Sequence, residues 1–70
     1  MKNKFSGTVA WFLEDREYGF ILADTGGEYF FHYSDIIMDG FKNLIDGQQV
    51  SFDAEKDEKG LKAKNVRKIG

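Results

Sequence analysis

The stretch Tyr18-Gly19-Phe20-Ile21-Leu22-Ala23-Asp24-Thr25-Gly26-Gly27-Glu28-Tyr29-Phe30-Phe31-His32-Tyr33 decides the fold. Two runs rich in aromatic and β-branched residues flank Asp24–Gly27, a cluster of turn formers, and both have strand rather than helix length. The stretch reads as a hairpin, with strands over about Tyr18–Ala23 and Glu28–Tyr33. Side chains alternate along a strand, so each run has two faces. In the first run Tyr18 and Phe20 share one face, and Gly19, Ile21 and Ala23 share the other. The aliphatic set suits a core, which leaves Tyr18 and Phe20 outward. In the second run both faces carry rings and the period alone is ambiguous. His32 breaks the tie, because an imidazole is easier to solvate than to bury without partners. Its face, with Phe30, is therefore assigned outward, and Tyr29, Phe31 and Tyr33 inward.

Working outward, the remaining breaks are Asp39-Gly40, Asp46-Gly47 and Asp57-Glu58-Lys59-Gly60. They bound a strand over Lys4–Leu13 before the hairpin and strands over Gln49–Glu55 and Leu61–Ile69 after it. The interval Ser34–Asp46 is a poor strand and reads as a long connection carrying short 3₁₀ pieces, with Ser34-Asp35-Ile36-Ile37 able to cap one turn. The expected fold is all-β: a five-stranded antiparallel barrel with its long connection between strands three and four. Closure also removes the edge strands that a small all-β domain must otherwise protect.

Composition bounds the rest. With 70 residues the chain makes one domain, and it has no cysteine to brace a thin core with disulfides or a thiolate metal site. No apolar run reaches the ~20 residues of a membrane span, so a cytoplasmic protein with no membrane partner is expected. The net charge of -2 argues mildly against a nucleic-acid partner, yet aromatic residues make up 16% of the chain. A barrel this small cannot bury every ring. If the hairpin strands pair, Tyr18, Phe20, Phe30 and His32 form one outward patch. Trp11 and Phe12 extend it where the first strand's alternation breaks. Flat rings on a sheet suit sequence-tolerant stacking of bases, with basic side chains holding phosphates at the rim. Lys4, Arg16, Lys42, Lys59 and Lys62 are the basic candidates.

The same residues carry a family resemblance. Gly7-Thr8-Val9-Ala10-Trp11-Phe12, followed by Tyr18-Gly19-Phe20-Ile21, resembles the opening of a bacterial cold-shock domain and its first ribonucleoprotein motif, Lys-Gly-Phe-Gly-Phe-Ile. Tyr29-Phe30-Phe31-His32-Tyr33-Ser34 resembles the second motif, Val-Phe-Val-His-Phe-Ser. Asp39–Lys42, Asp46–Phe52, Lys59-Gly60 and Ala63–Val66 continue the likeness through nearly the whole chain. The resemblance implies a barrel of the oligonucleotide/oligosaccharide-binding (OB-fold) type over 1–70. It implies binding of single-stranded RNA or DNA, and a role as an RNA chaperone or regulator of transcription and translation in the cold. Carried over by position, it places base stacking on Trp11, Phe12, Tyr18, Phe20, Phe30, His32, Tyr33 and Phe41, the last on the resemblance alone. Arg16, Lys42 and Lys59 complete the expected interface of a monomer.

Several positions depart from the family pattern. Ala10 stands where a phosphate-facing lysine is usual and Leu13 where an asparagine is. Glu17 replaces the first motif's leading glycine, Tyr29 and Phe31 replace two core valines, and Leu61-Lys62 replaces Pro-Gln.

An enzyme is not expected: there is one histidine, no cysteine and no P-loop glycine pattern. No cofactor, metal or small-molecule substrate is implied. His32, Ser34 and Asp35 spell a triad only by sequence adjacency, which seldom delivers triad geometry. Asp53–Glu58 lacks the spacing and glycine of a calcium loop and reads as a solvated hairpin. The competing reading is a protein-binding barrel, since exposed rings also make protein interfaces.

Overall fold

The computed structural model describes residues 4–13, 15–37 and 44–69. Five strands follow in order: β1 (Lys4–Leu13), β2 (Tyr18–Ala23), β3 (Glu28–His32), β4 (Gln49–Asp57) and β5 (Gly60–Lys68), with a 3₁₀ turn at Tyr33–Asp35 after β3. They close into a barrel in the order β1-β2-β3-β5-β4. This is a barrel of the oligonucleotide/oligosaccharide-binding type.

The sequence reading needs one correction in strand sense. All ladders are antiparallel except β3–β5, which is parallel and pairs Phe30 with Lys62. The reason is parity: a closed ring of five strands cannot reverse direction at every joint. The expected third strand also ends one residue early. Tyr33 leaves the ladder to begin the 3₁₀ turn, whose N-cap is His32 rather than Ser34.

Inward residues of all five strands form one core, in which Phe31, Phe52, Ile21, Val9, Val50 and Val66, together with Ile36, are fully buried. The large inward rings fill it as two groups. Phe5, Tyr29 and Phe52 pack together at centroid distances of 5.1 to 6.0 Å, while Phe31 stacks on Phe12 at 5.6 Å. No buried side-chain polar atom lacks a partner among the described residues.

Two irregularities shape β1 and β5. Val9 pairs with Ile21 but Trp11 pairs with Phe20, so Ala10 is an extra residue and β1 bulges there. The bulge is tied down by the chain entering β4: Val9 donates to the Gln48 carbonyl and accepts from Gly47, both at 2.8 Å. In β5 the ladder shifts opposite Phe52, and Asn65 takes up the slack at φ 53°. Its side-chain amide donates to Asp53 Oδ2 at 2.7 Å, a short polar anchor of the kind that lets asparagine occupy this region. Among the described residues no helix is long and apolar enough to cross a membrane.

Candidate nucleic-acid interface

The outer face of β1, β2 and β3 is built by register. Tyr18 stands opposite His32, and Phe20 opposite both Phe30 on β3 and Trp11 on β1. Because directly opposed side chains share a face, these pairings force the rings together. Trp11 lies 5.0 Å from Phe20 and 5.7 Å from Tyr18, and Phe30 lies 5.7 Å from Phe20 and 5.6 Å from Tyr18, centroid to centroid. The result is a continuous quadrilateral of half-buried rings, mutually tilted or edge-on, with the more exposed His32 at its corner. The second run divides as the imidazole argument expects: Phe31 is fully buried and Tyr29 nearly so, while Phe30 and His32 face outward.

The bulge at Ala10 decides what β1 contributes. Phe5, Gly7 and Val9 point inward, so unbroken alternation would send Trp11 inward too. The extra residue reverses the phase: Trp11 joins the outer rings, and Phe12 turns to the interior above Gly19. The two rings that the sequence placed together therefore lie on opposite faces. Gly19 permits this, since a Cβ there would sit 2.3 Å from the Trp11 carbonyl oxygen and 3.1 Å from the Phe31 ring.

His32 is held by the turn it caps. Its backbone N–H donates to Asp35 Oδ2 at 2.9 Å, and its Nδ1 accepts from the Ser34 N–H at 3.2 Å while lying 3.1 Å from Ser34 Oγ. An accepting Nδ1 leaves the ring proton on Nε2. Residues 32, 34 and 35 thus meet as a cap; Asp35 takes the backbone amide and not the imidazole, so no triad geometry results. Tyr33, the first residue of the turn, is half-buried and donates its N–H to the Glu17 carbonyl at 2.8 Å.

The charged rim is mixed. Arg16 and Glu17 are exposed in the β1–β2 turn, where Leu13 O accepts from both of their amides. Glu17 adopts φ 62°, the left-handed region that favours glycine. On the opposite side, Lys59 and Lys62 line a groove against Phe20 and Phe30. Lys4 instead stands opposite Asp53 in the β1–β4 ladder, away from the rings. Phe41 and Lys42 lie outside the described residues. Among the described residues no group of three or more His, Cys, Asp or Glu is placed to hold a metal ion.

The sequence reading noted Leu13 only as a departure from the family pattern and missed Leu22; they are exposed at 41% and 46% on the outer face beside the rings. It also gave Glu28 no role. Alternation alone puts Leu22 with Tyr18 and Phe20, and Glu28 with Phe30, so the signal was present.

Comparison with known proteins agrees with this fold. A family model described as the "'Cold-shock' DNA-binding domain" matches residues 5–69. A "Cold shock-like protein" of Aquifex aeolicus is 54% identical over 67 residues, covering 94% of this chain and 96% of the relative. The "Cold shock protein CapB" of Pseudomonas fragi is 45% identical over 69 residues, covering 99% of this chain and all (100%) of the relative. Bacillus subtilis "Cold shock protein CspC" is 48% identical over 62 residues, covering 89% of this chain and 94% of the relative. Among solved structures, drosophila Unr CSD456 matches 99% of this chain with 28% of its own length, at a TM-score of 0.79 and 21% identity, a likeness of fold.

Proposed function

The chain belongs to the cold-shock domain family, and from that footing we propose that it binds single-stranded RNA or DNA with low sequence specificity, by stacking bases on its outer rings. The observation that carries this reading is the quadrilateral of Trp11, Tyr18, Phe20 and Phe30, each ring packed against two of the others on one outward sheet face. Every base has a π-face, and each stacked base is worth ~1–3 kcal/mol, so such a surface grips a strand without reading it closely. His32 adds a ring-nitrogen donor at the edge. Arg16, Lys59 and Lys62 are the described cations placed to meet phosphates, and Phe12 acts from beneath by supporting the core.

In this reading the protein is a monomeric binding module and not a catalyst. Melting or guarding of RNA structure, and through it regulation of transcription or translation in the cold, is the role this binding serves.

The test is a titration of Trp11 fluorescence with oligothymidine at two salt concentrations. Quenching that saturates, and that weakens as salt rises, is the expected result. Unchanged emission together with a negative independent binding assay at low salt would overturn it. A protein-binding barrel, favoured by the exposed Leu13 and Leu22 and by the net charge of -2, would then be the better account.

A further inference from the structure

Register turns the outer face into a grid of three rungs laid across β1, β2 and β3. Leu13, Tyr18 and His32 form the first rung, Trp11, Phe20 and Phe30 the second, and Thr8, Leu22 and Glu28 the third. Leu13, Leu22, Glu28 and His32 are exposed, and the others half-buried. The middle rung is wholly aromatic. Each outer rung carries one leucine, and their β3 corners differ: an imidazole in the first, a carboxylate in the third.

That pattern is its own complement. A two-fold axis along the middle rung turns the first rung onto the third. Tyr18 of one copy then meets the partner's Leu22, Leu13 meets the partner's Thr8, and His32 meets the partner's Glu28. Trp11, Phe20 and Phe30 meet their own counterparts at the axis. The strands of the two sheets run nearly aligned, one of the two ways in which sheets pack face to face. The other in-plane axis, along β2, sets His32 against Leu13 and separates it from the carboxylate.

The corner contact is chemically definite. His32 Nδ1 accepts from the Ser34 N–H, which leaves the ring proton on Nε2. An ionised carboxylate only accepts, so Glu28 is the group that this proton fits, and two-fold symmetry makes the contact twice. A net charge of -2 gives two copies little long-range repulsion. Ala10 and Leu13 also put apolar side chains where the family pattern has a lysine and an asparagine.

We propose that two copies of this chain, free of nucleic acid, pair face to face through these rungs, so that self-association covers the stacking surface. At a strand spacing of ~4.8 Å and a rise of ~3.3 Å per residue, the grid spans a few hundred Å². A stable complex buries ~800 Å² per partner, so this pair is weak and forms at high protein concentration. A single strand seated on the rings displaces the partner, and the bound form is monomeric. Pairing itself does not depend on the single-strand reading; only the exclusion between the two does.

Sedimentation equilibrium of wild type, Leu22→Gln and Glu28→Lys, up to about 1 mM protein, tests the inference. Wild type should pass from monomer to dimer as concentration rises. Leu22→Gln removes the apolar contact to Tyr18, and Glu28→Lys sets a cation against the His32 N–H. Each should weaken the dimer on the order of tenfold or more, because each contact is made twice. Both positions are exposed, so both variants should melt like wild type. Saturating oligothymidine should return wild type to monomer. A wild-type protein that stays monomeric, or a dimer indifferent to either substitution, overturns the inference and leaves single-strand binding standing. So does a dimer that persists with oligothymidine bound, which would pair through another face. A dimer that behaves as expected while no oligonucleotide binds supports the pairing and removes the single-strand reading instead.

Discussion

The ring of Phe12 lies 15° from parallel to that of Phe31 at 5.6 Å, while Trp11, one residue earlier, packs its ring 5.0 Å from Phe20 on the opposite face of the sheet. Neighbouring aromatics of β1 thus serve different ends, one the core and the other the outer surface. Phe12→Ala should lower stability by roughly 2–3 kcal/mol, less than the ~3–5 of a fully buried phenylalanine because Phe12 is half-buried. Trp11→Ala should instead spare the melt and weaken binding, read with a labelled oligonucleotide. A Phe12→Ala protein that melts like wild type and binds more weakly would place that ring in the interface.

The same contrast holds within β3. Phe30→Ala should leave the fold intact and lose ~1–3 kcal/mol of oligonucleotide affinity. Phe31→Ala leaves a cavity costing ~3–5 kcal/mol, which is about all that a core of this size supplies. Circular dichroism should find that mutant largely unfolded at room temperature. The reverse pattern would mean that the strand presents Tyr29 and Phe31 to the ligand.

Glu17→Gly should help twice. Relieving a left-handed φ at a residue with a Cβ is worth about 1 kcal/mol. Removing a carboxylate close to the stacking face should also tighten binding. Glu17→Gln separates the effects, since it keeps the strain and loses the charge. Equal melting temperatures for the glycine and glutamine variants would show that the backbone there stores no strain.

Ala10→Lys places a cation on the bulge next to Trp11. If that side chain meets a phosphate, the log–log salt dependence of binding should steepen by about 0.7, the increment for one single-strand contact. A parallel salt plot would show that position 10 faces away from the backbone of the bound strand.

Gly19→Ala tests the close approach of β1 and β2. Its methyl would overlap the Trp11 carbonyl at 2.3 Å, a backbone atom that cannot swing aside. Thermal melts should show a loss of at least ~1–3 kcal/mol, the usual cost of overpacking. An unchanged midpoint would mean that the strands separate without penalty.

Much of this was legible in the residues themselves. The bounds of β1 and β2 and the division of β3 into Tyr29 and Phe31 inside, Phe30 outside, follow from turn chemistry and a period of two, with the imidazole of His32 choosing the outward face of β3. Both are local properties of the chain. What local pattern could not supply was the phase of β1 beyond Val9. A bulge is set by which residues of β2 and of the Gly47–Gln48 segment the strand must meet, and one extra residue exchanges the faces of everything after it. Trp11 and Phe12 therefore stayed together in the sequence and parted in the structure. Likewise, Lys62 reaches Phe30 only because five strands closing into a ring require one parallel joint. That joint places the β4–β5 hairpin beside β3, and with it creates the groove lined by Glu28, Phe30 and the hairpin residues Lys59–Lys62, which are distant in sequence. Alternation assigned each side chain its face; only closure of the barrel decided which faces became neighbours.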